Sequence, residues 1–186
     1  MDDVREIKRI EVDRSIILKE LEHTDAPDIF NAINNNREFL SKWLPFVDYT
    51  WDVEDSENFI KSVLDVAEEV REYVFVIYYN KAFAGLIGFK ESDSINRKTE
   101  LGYWICESVQ GNGIATKSVQ ALMKFAFSEL LVNRIQIKCA VDNLKSKNIP
   151  KRLGFVFEGI ERDGERMSNG RYCDIEVYSF LKRQLM

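Results

Sequence analysis

Tyr103–Leu130, YWICESVQGNGIATKSVQALMKFAFSEL, is the stretch whose reading decides the fold. A short apolar strand carrying Leu101, Tyr103 and Ile105 runs into a glycine-bearing turn, and a helix follows at once. In that helix Ala115, Val119, Leu122, Met123, Ala126 and Leu130 recur at the spacing of a buried face. Ile114, Ser118, Ala121 and Phe125 widen it, and Lys117, Gln120, Lys124 and Ser128 form the one polar stripe. The helix therefore opens at Gly111-Asn112-Gly113 and is largely buried. Its first backbone N–H groups lack internal partners and its dipole makes that end partly positive. Glycine there lets a phosphate approach the backbone, so the turn is a candidate pyrophosphate cradle. A tight turn that needs glycine only for its dihedrals is the alternative.

Three phosphate-binding patterns compete for the turn. The dinucleotide fingerprint G-x-G-x-x-G fails at Thr116. A Walker A loop has Gly111, Lys117 and Ser118 in place, but Thr116 stands where its second glycine belongs. The pattern [QR]-x-x-G-x-[GA] is met in full by Gln110, Gly113 and Ala115. In the acyl-CoA-binding turn of N-acetyltransferases that pattern follows a strand and opens a helix.

Outward from this stretch, 186 residues suit one domain with a real core. A 45% apolar, 31% charged composition is that of an ordinary soluble protein, and a net charge of −5 argues against a general nucleic-acid or membrane-surface binder. No signal peptide or spanning segment is read, which gives the expectation of a cytoplasmic protein. Cys106, Cys139 and Cys173 each sit in an apolar strand-like run and read as reduced core residues. His23 is the only histidine, which leaves no multi-histidine metal site and makes a Ser-His-Asp triad a poor reading. No metal is expected.

In chain order, residues 1–12 read as an edge or poorly ordered segment. A strand at Ser15–Leu21 precedes a helix capped by Thr24 and reaching Asn34. The aromatic-rich segment through Trp43, Phe46, Tyr49 and Trp51 is a candidate wall for an acceptor pocket, with plain packing the alternative, and exposed aromatics there would suit a homodimer surface. A third helix is expected from Asp55 to Arg71, with Phe59, Ile60, Val63, Leu64, Val66 and Val70 inward. Strands follow at Tyr73–Tyr79, Ala82–Glu91 and Lys98–Cys106. After the central helix come a strand at Arg134–Val141, a polar loop at Asp142–Asn148 and a short helix to Leu153, stopped by Gly154. Strands at Phe155–Ile160 and Tyr172–Leu181 flank a polar loop, Glu161–Gly170. The fold class is α+β: one mixed, mostly antiparallel sheet of about seven strands flanked by helices.

With NRKTELGYWICESVQGNGIA, VNRIQIKCAVDN-x-x-S and R-LGF-x-x-EG in order, the chain resembles the Gcn5-related N-acetyltransferase (GNAT) superfamily. Within it, Trp43-Leu44-Pro45 adds a resemblance to the RimJ/RimL branch, which acetylates ribosomal-protein N-termini. The resemblance covers roughly Leu18 to Leu181 and implies acetyl-CoA as donor. It places the pyrophosphate on the turn from Gln110 through Gly111, Asn112, Gly113, Ile114 and Ala115 to Thr116. The pantetheine would lie along Tyr103, Trp104, Ile105 and Cys106 as an added strand. Asn143 would hold the pantetheine or the acceptor, with Trp43 and Phe46 lining the pocket; a turn-forming Asn143 is the alternative.

The acceptor amine must be neutral to attack, and a carboxylate suffices as base. The branch's matching residue is Glu165, with Glu100 the rival base and a solvated loop acid the plain alternative. A backbone N–H near Ile105 would meet the oxyanion. The superfamily's usual tyrosine acid falls on Pro150, which donates nothing, and the branch's serine falls on Ser146, whose alternative role is a helix cap. The implied activity is transfer of an acetyl group to a primary amine, first among them a ribosomal-protein N-terminus. Polyamines, aminoglycosides and amino acids fit the same parts. A nucleotide-binding module and a catalytically idle CoA-binding protein are the readings from other classes.

Overall fold

The computed structural model describes residues 7–67 and 71–185. Its strands are β1 (Arg9–Glu11), β2 (Ile16–Glu20), β3 (Val74–Tyr79), β4 (Ala82–Asp93), β5 (Lys98–Ile105), β6 (Arg134–Ala140), β7 (Val156–Arg166) and β8 (Tyr172–Leu181). Its helices are α1 (Ala26–Asn35), α2 (Arg37–Leu40), α3 (Val53–Leu64), α4 (Ile114–Ser128) and α5 (Leu144–Arg152). Among the described residues the strands form one eight-stranded sheet in the order β1-β2-β3-β4-β5-β6-β8-β7. Every neighbouring pair is antiparallel except β5 and β6. The strand beyond the expected seven is β1, which pairs with β2 through Ile10 and Leu18. Residues 1–6 of the N-terminal segment lie outside the described residues.

Strand alternation feeds two cores, one on each face of the sheet. Phe75, Ile77, Ile87 and Leu101 face α4 and meet Val119, Leu122 and Ala126, all essentially without solvent contact. The intervening Val76, Leu86 and Trp104 face the other way, onto Ile29 and Ile33 of α1 and Ile60 of α3. Helix α4 is the buried helix its periodicity predicts: Lys117, Gln120, Lys124 and Ser128 are its exposed stripe. Phe125 packs edge-on against Tyr73 and Phe75, with ring centroids 5.5 and 5.9 Å away.

Four expectations are corrected. The third helix ends at Leu64 rather than Arg71: Asp65 leaves helical dihedrals, and Phe59 and Val66 are each 40% exposed. Val70 lies outside the described residues. Residues Asp142–Asn148 are not a loop, because Asn143 Oδ1 accepts from the Ser146 N–H (3.1 Å) and starts α5 at Leu144. Strand β7 runs six residues past Ile160 to Arg166, because the ladder to β8 continues through a bulge at Glu161–Glu165. Finally, Thr24 caps nothing: a single 3-10 turn, His23–Asp25, leads into α1, and Asp25 Oδ2 accepts from the Glu22 N–H (2.8 Å). Cys106, Cys139 and Cys173 are free thiols, the first two buried and the third half-buried.

The feature that makes a site is the short parallel joint between β5 and β6. Only Lys98, Thr99 and Glu100 pair with Arg134, Ile135 and Gln136. Beyond them the strands diverge, and Leu101–Ile105 keeps a partner on the β4 side alone.

Candidate active site

The divergence opens a cleft of about 970 Å³. One wall is the end of β5 with the turn that follows; the other is the loop after β6 with α5. The segment carrying Phe39, Trp43 and Leu44 closes the end. Cys106 donates its N–H to the Ala84 carbonyl (2.8 Å), so alternation turns the N–H and C=O of Tyr103 and Ile105 away from β4 and toward the cleft. They offer a ready edge for an extended ligand.

At the cleft's mouth the turn adopts the geometry its glycines allow. Gly111 and Gly113 have φ of +80° and +72°, and Gly113 is the N-cap of α4 with no side-chain cap. The N–H groups of Ile114, Ala115 and Thr116 are thus the unpaired first turn of a fifteen-residue helix. A Cβ added at Gly111 or Gly113 meets nothing within 4 Å, so the space over these amides is open. Lys42, Lys145 and Arg152 bring positive charge to the lining. Unpaired amides, open space and an unpaired strand edge together fit a phosphate-bearing thioester carrier. They would hold its diphosphate and lay out its pantetheine arm.

The same geometry removes the Walker reading. Lys117 Nζ ion-pairs with Asp13 Oδ2 at 2.7 Å, on the far side of the loop, and does not line the cleft. That bond, with those from Ser15, holds the Asp13 carboxyl well below the usual carboxylate range. Ser118 Oγ is wholly buried without a partner, where it could serve no magnesium ion.

Of the expected site residues, Tyr103, Trp104, Ile105, Gln110, Gly111, Gly113, Ile114, Ala115, Thr116, Asn143, Ser146 and Trp43 line the cleft. Cys106 does not: it is buried in the second core. Asn112 instead shapes the loop, its Nδ2 donating to the carbonyls of Val109 and Gln110 (3.0 and 3.3 Å). Phe46 is 41% exposed and outside the lining. Glu100 is 2% exposed and engaged by Lys90 (2.8 Å), Lys138 (3.8 Å) and Gln136 (3.1 Å), all outside the cleft. Its carboxylate ties β4, β5 and β6 together.

Glu165 stands on β7 opposite Cys173, just past the bulge, exposed and outside the cleft lining. The tip of that β7–β8 hairpin crosses to the Pro45–Tyr49 turn, where Ser168 Oγ hydrogen-bonds Asp48 Oδ2. The sequence reading missed the cleft's cross-links. Lys145 Nζ donates to Gln110 Oε1 (2.6 Å) across the mouth. The Tyr103 hydroxyl lies 3.1 Å from Ser146 Oγ and 3.2 Å from the Ser146 carbonyl. Burial pushes the Tyr103 phenol well above its ordinary value.

The GNAT acetyltransferase domain matches residues 15–156. This chain belongs to the GNAT acetyltransferases. Similar relatives extend over nearly its whole length. YdaF of Bacillus subtilis (strain 168), provisionally named a ribosomal N-acetyltransferase, is 34% identical over 179 residues, covering 93% of this chain and 94% of YdaF. The ribosomal-protein-serine acetyltransferase of Escherichia coli (strain K12) is 28% identical, with 91% and 94% covered. Among solved structures, the RimL ribosomal L7/L12 α-N-protein acetyltransferase in complex with coenzyme A superposes with a TM-score of 0.89 at 27% identity. It covers 94% of this chain and 98% of that one. This GNAT protein is an N-acetyltransferase with acetyl-CoA as its donor.

Proposed function

We propose that the acceptor is the N-terminal α-amine of a protein, a ribosomal one first, and that the reaction runs by direct transfer in a ternary complex. The observation that carries this is the cleft beside β5, in which an unpaired strand edge runs from the α4 amides toward the Trp43–Leu44 segment. The donor's phosphates have the α4 amides at one end. At the other stands the Trp43–Leu44 segment, followed by the Pro45–Tyr49 turn that Ser168 of the β7–β8 hairpin hydrogen-bonds, and the acceptor's chain end would enter beside it. The named activities of the relatives agree with it, and a cytoplasmic location follows from such a substrate. Among the described residues no helix is long and apolar enough to cross a membrane.

In this mechanism bound acetyl-CoA supplies an activated acyl carbon, and the residues do the rest. The Ile105 N–H, unpaired at the strand edge, faces the developing oxyanion. Asn143 uses Oδ1 to cap α5 and keeps Nδ2 for the ligand. Ser146 Oγ hydrogen-bonds the departing sulfur. Glu165, which lies outside the lining, takes the amine's proton through a water. An α-amine has a pKa of roughly 8 and a lysine side chain about 10.4, so near neutral pH the α-amine presents far more free base.

A CoA-release assay over N-terminal peptides, lysine side-chain peptides and polyamines tests the acceptor. Peptides with free N-termini are expected to react fastest, with kcat/KM rising with pH through about 8. Faster turnover of polyamines would overturn the proposal. Glu165→Gln is expected to lower kcat by ~10²–10⁴-fold at unchanged acetyl-CoA affinity; full activity there discards this base.

A further inference from the structure

Helix α5 contains a break that faces Tyr103 of β5. In an α-helix the carbonyl of residue 146 accepts from the N–H of residue 150, and here residue 150 is Pro150, which has none. The Tyr103 hydroxyl, from a strand 43 residues earlier, reaches that carbonyl at 3.2 Å and Ser146 Oγ at 3.1 Å. Each hydroxyl has one proton to give. If Tyr103 donates to the carbonyl, its oxygen is left to accept from Ser146, which draws the Ser146 proton away from the cleft. If Tyr103 donates to Ser146 Oγ, the Ser146 proton is free to turn into the cleft that both residues line.

We propose that Tyr103 is a positioning residue for the leaving-group step, its hydroxyl holding Ser146 Oγ as a hydrogen-bond donor toward the thioester sulfur. This rests on the Ser146 role given above. In the transfer the C–N bond forms as the C–S bond breaks. The sulfur keeps the bonding pair, and the nitrogen's proton passes to the base and then to solvent. A thiol pKa of about 8.5 means that sulfur can leave as thiolate given a good donor, with no full proton needed from Tyr103 or Ser146. Burial keeps the phenol protonated, so it remains a donor.

The alternative is that Tyr103 merely satisfies the carbonyl orphaned by Pro150, and Pro150→Ala separates the two because it returns the missing N–H. Tyr103→Phe is expected to lower kcat about tenfold, the effect of one hydrogen bond, with KM for acetyl-CoA little changed. In the Pro150→Ala background, Tyr103→Phe should lower kcat as much as it does in the parent enzyme. Added to Ser146→Ala, it should lower kcat no further. Recovery of kcat in Tyr103→Phe/Pro150→Ala, or a further loss on top of Ser146→Ala, overturns the proposal. Full kcat in Tyr103→Phe with Ser146→Ala impaired removes Tyr103 and leaves Ser146 in place. Full kcat in Ser146→Ala removes the Ser146 role and this inference with it. Should Tyr103→Phe alone not fold, the Pro150→Ala background carries the test.

Discussion

At the residue scale, Ser118 and Gly113 separate two kinds of small residue in one loop–helix unit. Ser118 fits a phosphate-loop pattern by position, yet its hydroxyl is buried and unpartnered. A buried polar atom without a partner costs about 1–3 kcal/mol. Ser118→Ala is therefore expected to raise stability by about 1 kcal/mol in chemical denaturation and to leave acetyl-CoA binding intact. Loss of binding there would restore a ligand role to Ser118. Gly113 is required in the opposite sense. Gly113→Glu adds a side chain at φ +72° and an anion over the Ile114–Thr116 amides. Calorimetry should then detect no acetyl-CoA binding while the far-ultraviolet spectrum stays folded; tight binding would relocate the cradle. Pattern matching at single positions could not distinguish Ser118 from Gly113, because the difference is burial.

At the element scale, α4 was readable because its apolar spacing and its packing agree. β7 was not. Its outer half, Glu161–Arg166, is polar, and only the ladder to β8 makes it a strand. That moves Glu165 from a loop onto an edge. The start of α5 was hidden for a related reason: Lys145-Ser146-Lys147 has no apolar period, and the signal was the Asn143 cap. Side-chain clamps tie these strands down. Arg134 grips Glu158 of β7 through both nitrogens (2.7 and 2.5 Å), and Ser179 of β8 donates to the same carboxylate (2.7 Å). Arg134 and Ser179 hold the Glu158 carboxyl below its ordinary 4.5. A depressed folded-state pKa contributes stability that is complete above about 4.5 and disappears as pH falls through the folded value. Glu158→Gln should flatten the acid limb of the stability curve below pH 4.5. An unchanged limb would show the clamp to be inert, as half-exposed ion pairs often are.

At the scale of the whole molecule, the order of elements was legible and the cleft was not. Sheet order and the parallel β5–β6 contact depend on partners far apart in sequence, and so does the meeting of Tyr103 with Ser146. The glycine turn that opens α4 was legible because it is local. Gly85 shows how tightly the rest is fixed: a Cβ there would lie 2.0 Å from the Trp104 carbonyl oxygen, so β4 carries β5 at one set distance. On the other side β5 has three paired residues and then a gap. Acetyl-CoA is expected to slow amide hydrogen exchange at Tyr103, Ile105 and Ile114–Thr116 far more than in β2 or β3. Uniform slowing across the sheet would contradict a ligand seated in that gap.

The short joint has a mechanical meaning. Five strands on one flank and three on the other meet across a seam only three residue pairs long, like two leaves of a book bound at one corner of the spine. A molecule lodged between the leaves acts as a keystone, stiffening the pages on either side of it. A ligand filling that seam is expected to draw the two flanks together, and its departure to let them part.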